Sequence, residues 1–209
     1  MNENVRAIYN PSSDIWGLPQ TYKTIKFYPI KVHDQDKQDL FYRIFAQPKS
    51  YINKKEIVKL SYLKFILYAF GDSDKVQNDI ISILEHITGK SIKIEANLFD
   101  INQAMSIENI IFRINIDNVF FDEQEFDDIR EIVLEQNGLS IDYIEDYRPD
   151  LEEKMKFFSF GNDVDFTDEI FTFAVAMRLT MDEIGNLTNF QLQNYLERFL
   201  TRYANFLKN

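Results

Sequence analysis

SIKIEANL (residues 91–98) and IIFRINI (residues 110–116) carry the pattern that decides the fold. Ile92, Ile94, Ala96 and Leu98 alternate with polar residues, and so do Ile110, Phe112, Ile114 and Ile116. A period of two belongs to half-buried strands, so two strands are expected here, joined by a loop near Asn102–Ser106. On both sides the apolar period is helical. Upstream, Asp74 opens a helix with Val76, Ile80, Ile83, Leu84 and Ile87 at helical spacing, and Gly89 supplies a left-handed stop. Downstream, Asp122 and Glu125 form a capping pair ahead of Phe126, Ile129, Ile132 and Val133, and Asn137-Gly138 closes that helix. A short pair of strands set between helices predicts an α+β chain, predominantly helical, with a small antiparallel sheet and a C-terminal helical module.

Toward the N-terminus, four of the five prolines (Pro11, Pro19, Pro29, Pro48) fall within the first 48 residues. The aromatic, β-prone run Tyr22, Ile25, Phe27, Tyr28, Ile30 and Val32 predicts strands around Tyr22–Val32, with Pro29 forcing an edge position or a bulge. Asp34 or Asp36 then caps a helix carrying Leu40, Phe41, Ile44 and Phe45, which stops before Pro48. Lys54 to Phe70 has helical length, and from Ile57 it is apolar on nearly every face, which predicts a central helix ended by Gly71.

Toward the C-terminus, Ser140–Arg148 has the character of a linker, and Pro149 starts a short charged helix. Gly161-Asn162-Asp163 is a break. Helical starts follow at Thr167, at Thr180 with Glu183, and at Thr188 with Gln191. The last helix carries Leu192, Tyr195, Leu196, Phe199, Leu200, Tyr203, Phe206 and Leu207. Its late basic residues Arg198, Arg202 and Lys208 complement the helix dipole. The expected division is an N-terminal strand-plus-helix module (1–90), a small hairpin-and-helix segment (91–148) and a C-terminal helical module (149–209).

The 209 residues suffice for one large domain or two small ones with a real core. Hydrophobic residues make up 45% and charged residues 27%, a globular balance, and 19 Phe and 11 Tyr stand against only 6 Gly. Residues 1–90 hold 13 Lys and Arg against 10 acids, whereas residues 91–209 hold 10 against 24. An acidic C-terminal half repels a phosphate backbone, which argues against nucleic acid as the main partner. The same charge serves solubility, or attraction to a basic protein. Without cysteine there is neither disulfide nor thiolate metal site. Met1–Asn10 lacks the pattern of a signal peptide, and no apolar run is long enough to span a membrane, so a cytoplasmic location is expected.

Of the motifs that carry chemistry, the sequence holds fragments only. Gly89-Lys90-Ser91 matches the end of a phosphate-binding loop, but the first glycine is replaced by Leu84 and the segment follows a helix rather than a strand. Asp163, Asp165 and Thr167 begin like a calcium loop, which then fails at Asp168 and Ala174. His33 and His86 are far apart in the chain and have no metal-binding or catalytic spacing. No catalytic, cofactor or metal residue is assigned, and the chain is read as a non-enzyme without cofactors. The aromatics are the better clue, because Trp and Tyr are enriched where partners bind. Trp16, in Ile15-Trp16-Gly17-Leu18-Pro19, is either a plug onto the core or a partner anchor. Tyr22, Phe27, Tyr28, Tyr195, Phe199 and Tyr203 complete the set of partner-binding candidates.

Three stretches together resemble a group of late-gene proteins of tailed bacteriophages of Gram-positive hosts, of the tail-assembly-chaperone type. The first runs from Gly17 through Tyr22-Lys23-Thr24-Ile25-Lys26-Phe27-Tyr28-Pro29-Ile30-Lys31-Val32 to Asp34, with Ser61–Phe65. The second is Phe126–Asn137, followed by Pro149 and Leu151. The third is Thr180–Ile184 with Leu187–Gln191, leading into Glu197-Arg198. The resemblance implies a small protein of the infected cell's cytoplasm that keeps the tape-measure protein soluble while the tail forms, and it implies no cofactor. It carries over no fixed functional residues. Helix-in-groove binding is the expected mode, with a tape-measure or other tail protein as partner and self-association left open. The rival readings are a structural component of neck, tail or baseplate, which would stay in the virion, and an α+β regulatory interaction module.

Overall fold

The computed structural model of the chain describes residues 3–49, 59–69, 73–98, 110–145, 173–175 and 177–206. Two antiparallel sheets, one of two strands and one of three, sit among nine helices in these residues. The α+β, mostly helical architecture is therefore as the spacing predicted.

The chain opens with two short helices that spacing did not reveal, α1 (Glu3–Ile8) and α2 (Pro11–Ile15). α1 buries Val5, and α2 starts with Pro11 at its first turn beneath Asn10, whose side chain accepts from Ser12 N. β1 (Gln20–Tyr22) and β2 (Ile25–Phe27) follow as a hairpin in which Tyr22 faces Ile25. The region expected as strands up to Val32 is thus a tight hairpin that ends at Phe27. Its turn is closed by Lys23 at φ 53°. Beyond it the backbone donors go elsewhere: Tyr28 N to Ile87 O, and Ile30 N to Asn137 Oδ1. Pro29, which has no N–H, sits between these two donors.

α3 (Gln35–Phe45) begins after Asp34 and stops before Pro48, burying Phe41, Ile44 and Phe45. Asp34 occupies the cap position without a side-chain cap bond. α4 (Tyr62–Ala69) is shorter than its apolar run suggested. Lys59–Ser61 are not helical, and residues 50–58, with Phe70 and Gly71, lie outside the described residues. Its burial is central as expected, through Tyr62, Leu63, Phe65, Ile66 and Leu67. α5 (Ser73–Thr88) ends at Gly89, whose φ of +64° is the left-handed stop.

β3 (Ile92–Leu98) and β4 (Ile110–Ile116) pair antiparallel in unbroken register, with Ile94 opposite Ile114. The loop expected at Asn102–Ser106 lies outside the described residues. A third strand, β5 (Val119–Phe121), returns through a two-residue turn at Asp117-Asn118, both with positive φ. That geometry is the mirror-image turn of tight hairpins, which Asn and Asp tolerate. α6 (Glu123–Gln136) carries the expected capping box between Asp122 and Glu125 and closes at Asn137-Gly138. The segment from Ser140, read as a linker, folds into α7 (Ile141–Glu145), because Ile144 is buried in the core and its N–H bonds Ser140 O.

In the C-terminal part, α8 (Met181–Gly185) starts at a capping box of Thr180 and Glu183. α9 (Asn189–Phe206) starts at the reciprocal bonds of Thr188 and Gln191. Both starts fall where the sequence placed them. The breaks and starts expected at Pro149, Gly161 and Thr167, with the failed calcium loop, lie outside the described residues.

One apolar cluster runs from Ile25 to Ile144 and takes in α3, α4, α5, α6 and both sheets. A second, smaller cluster joins Val32 to Phe173, Ala174, Ile184 and Leu192. It is reinforced by backbone bonds from Val32 N to Leu187 O, His33 N to Gly185 O and Asn189 N to Ile30 O, and by a bridge between Lys31 and Thr188. The chain after the hairpin is therefore the seat of α8 and α9.

Candidate interaction surface

Trp16 does not plug the core. It is 74% exposed, flanked by Ile15 at 60% and Leu18 at 52%. Three neighbouring apolar side chains left in water by a well-bonded backbone are unusual, since ordered apolar groups gain by burial. The backbone under them is held from both sides. Asp14, buried, accepts from Tyr9 OH at 2.6 Å and from Gln20 Nε2 at 3.0 Å. Gln20 Nε2 also reaches Asn10 O, and its Oε1 accepts from Asn10 N. Burial raises the Asp14 carboxyl above its usual range, against the lowering by these two donors. Burial likewise raises the Tyr9 hydroxyl, and the Asp14 carboxylate adds to the effect.

On the other side, Gln191 of α9 donates from Nε2 to Ile15 O at 3.0 Å. Gly17 turns there at φ +63°, and a Cβ on it would press against Thr188 and Gln191 at 3.2–3.3 Å. Glycine at this position lets the loop lie against the start of α9. One turn beyond Gln191 on the same helix, Tyr195 is 41% exposed. Ile15 at the end of α2, Trp16 and Leu18 on the pinned loop after it, and Tyr195 on the adjoining helix form the candidate surface.

The other aromatic candidates separate clearly. Phe27 offers no surface, because it is wholly buried in the main core, where the inward side of β2 directs it. Tyr22 is mostly covered: it packs on Phe121 at 5.9 Å, and its hydroxyl donates to Asp128 Oδ2 at 2.8 Å. Burial first, and then Asp128, raise that hydroxyl's pKa. Tyr28 is exposed, on the segment after the hairpin. Phe199 is half-buried on α9, and the side chain of Tyr203 lies outside the described residues. Sequence reasoning passed over Ile15 and Leu18, although they flank the one tryptophan in a proline-bounded segment. The isolated exposed side chains Tyr42, Tyr68 and Phe120 stand on other elements.

The two histidines, distant in sequence, meet at one carboxylate. His33 Nε2 lies 3.3 Å from Asp34 Oδ1, and His86 Nε2 lies 3.3 Å from Asp34 Oδ2. His33 Nδ1 donates to Gly185 O at 2.6 Å, which places this cluster beside the seat of α8. Each imidazole meets a different oxygen. Among the described residues no group of His, Asp and Glu is arranged to hold a metal ion.

Gly89-Lys90-Ser91, the phosphate-loop fragment, is the connection from α5 to β3, and the Lys90 ammonium is paired with Asp117 at 2.8 Å. No described helix is long and apolar enough to cross a membrane. Compared with family models, curated proteins and solved structures, the chain matches none.

Proposed function

We propose that this chain is a non-enzymatic protein-binding factor of phage tail morphogenesis, which holds the tape-measure protein soluble in the host cytoplasm while the tail assembles. The observation that carries the protein-binding part is the apolar segment Ile15–Leu18, exposed yet pinned by Asp14, Gln20 and Gln191. A preorganised aromatic anchor binds with little further loss of chain entropy, which favours it as an interaction hot spot. A tape-measure protein is a long helical chain with apolar faces that need cover until the tube encloses them. Trp16 and Leu18 beside α9 suit such a face, in the manner of a helix lying in a groove. The resemblance of Gly17–Asp34, Phe126–Asn137 and Thr180–Gln191 to tail-assembly chaperones supplies the identity of the partner.

The experiment is co-expression with the tape-measure protein of the same genome, followed by pull-down and a solubility assay, with the Trp16→Ala variant in parallel. The expected result is a partner that stays soluble only beside the unaltered chain, and purified particles that lack the chain. Absence of binding overturns the reading. Stoichiometric presence in virions replaces it with a structural tail component.

A further inference from the structure

The outer edge of β3 carries a second inference, independent of the Trp16 surface. Asp117 N donates to Ser91 O, which makes Ser91–Asp117 a hydrogen-bonded pair of the β3–β4 ladder. Such pairs recur at every second position, so Lys93, Glu95 and Asn97 also turn their backbone groups toward β4. Ile92, Ile94, Ala96 and Leu98 turn theirs the other way, to the free edge. The bond from Ile92 N to Glu85 Oε1 agrees with that direction. Among the described residues no strand pairs with this edge, and β3 is outermost in the order β3-β4-β5.

Natural edge strands are commonly blunted by proline, a bulge, shortness or edge charges, and of these devices β3 carries only the charges, Lys93 and Glu95, which alternate in sign. β3 has seven residues in unbroken register with β4 and contains no proline. Its inward face is also thinly covered: Ile94 is half-buried and Ala96 exposed, although their cross-strand partners Ile114 and Phe112 are buried. On the opposite face Lys93 and Glu95 are both exposed, two positions apart and of opposite sign.

We propose that β3 pairs antiparallel with β3 of a second copy of this chain, about a twofold axis at Ile94, joining two three-stranded sheets into one of six. The directions of the backbone groups allow this register. Ile94 meets Ile94 as a hydrogen-bonded pair, and Ile92 meets Ala96 in the same way, the Ile92 N–H leaving Glu85 Oε1 for the second copy's strand. Lys93 then stands opposite Glu95 on both sides of the axis, at non-hydrogen-bonded positions where side chains come closest. Charge selects the register among its neighbours. An axis at Glu95 sets carboxylate against carboxylate, an axis at Lys93 sets ammonium against ammonium, and an axis at Ala96 loses both ion pairs. An edge pair of this length buries less than the roughly 1,200 Å² of a stable interface, so the dimer forms in about the micromolar-to-millimolar range.

The test is sedimentation equilibrium of the full chain and of Lys93→Glu, Glu95→Lys and the double exchange, with circular dichroism to verify folding. The unaltered chain and the double exchange are expected to dimerise alike. Each single variant should weaken self-association at least tenfold, yet the two mixed one to one should pair, an all-acidic strand against an all-basic one. Amide exchange gives a second readout: Ile94 and Ala96 gain protection with concentration, while Lys93 and Glu95 do not change. A chain monomeric up to millimolar concentration overturns the proposal. So does a dimer indifferent to the charge exchanges, or protection that does not appear at Ile94 and Ala96.

Discussion

Replacing Arg130 with methionine tests how α6 is locked to the chain that follows α3. Arg130 is 2% exposed. Its Nε donates to Phe45 O at 2.9 Å and its Nη2 to Gln47 O at 3.1 Å. The guanidinium lies 3.5 Å from the centroid of the Tyr62 ring, and the Tyr62 hydroxyl donates to Ile44 O and Gln47 O. Tyr62 N in turn donates to Asp127, whose carboxyl is raised by burial and lowered by this bond, by Lys49 and by Arg130. Methionine fills a similar volume but takes the charged donor away from Phe45 O and Gln47 O and a nearby positive charge away from Asp127, which keeps its bond from Tyr62 N. Hydrogen bonds from a charged donor are worth about 1.5–3 kcal/mol each. A desolvated cation over an aromatic face adds up to about 2 kcal/mol. Relief of the buried charge offsets part of this, and breaking such a network by removing one member costs about 3–5 kcal/mol net. Against a total stability of about 5–15 kcal/mol, that is a large fraction. Urea unfolding reads it: with a slope of about 2–3 kcal/mol/M, the midpoint falls by roughly 1–2 M without a change in slope. Arg130→Lys should recover only part, because an ammonium does not reproduce the fork. A loss below about 1 kcal/mol for Arg130→Met refutes the argument that this network locks the fold.

Other perturbations separate local causes. Trp16→Ala should shift the thermal midpoint by no more than the effect of about 0.5 kcal/mol while lowering partner affinity by about 2 kcal/mol or more, read by melting and by titration calorimetry. Gly89→Ala, in open space at φ +64°, should cost about 1–2 kcal/mol from backbone strain alone. Gly138→Ala brings similar strain at φ +83°, and its Cβ meets only the flexible end of Gln193, which can swing aside. It should therefore cost about the same, and Gln193→Ala should leave that cost unchanged in a double-mutant cycle of unfolding energies. Glu135 has a pKa raised chiefly by burial. Its folded form holds a proton at a pH where the unfolded chain has released one. Stability therefore rises as pH falls from neutral through the folded-state value, and this contribution levels off below the ordinary 4.5. Glu135→Gln should reduce that rise in melting temperature, and an unchanged pH profile contradicts the assignment.

Helix boundaries were legible wherever the signal is local. The boxes at Asp122–Glu125, Thr180–Glu183 and Thr188–Gln191 close between residues three apart, so the same few side chains make the cap in any context. The β3–β4 alternation was legible for the same reason, since a period of two reports which face is covered. α1, α2 and α7 were not, because helices of five or six residues are too short to persist on their own and form only where neighbours bury Val5 or Ile144. The early end of the strand at Phe27 was also hidden. It follows from Tyr28 and Ile30 donating to Ile87 and Asn137, partners remote in the chain.

The candidate surface divides the same way. A tryptophan in a short, proline-bound segment marks Trp16 as special, but the sequence favours the plug over the anchor, and the structure reverses that order. Exposure is set by what the rest of the chain places nearby: Gln191 takes the Ile15 carbonyl, Gly17 lies against Thr188, and nothing among the described residues covers the indole. Phe27 and Trp16, both aromatic and eleven residues apart, end on opposite sides of the core boundary for that reason. Spacing within one turn or one strand is short-range and survives in the sequence alone. Which faces meet, which aromatics stay in water, and which two histidines share Asp34 depend on contacts between distant segments, and these exist only once the core from Ile25 to Ile144 has closed.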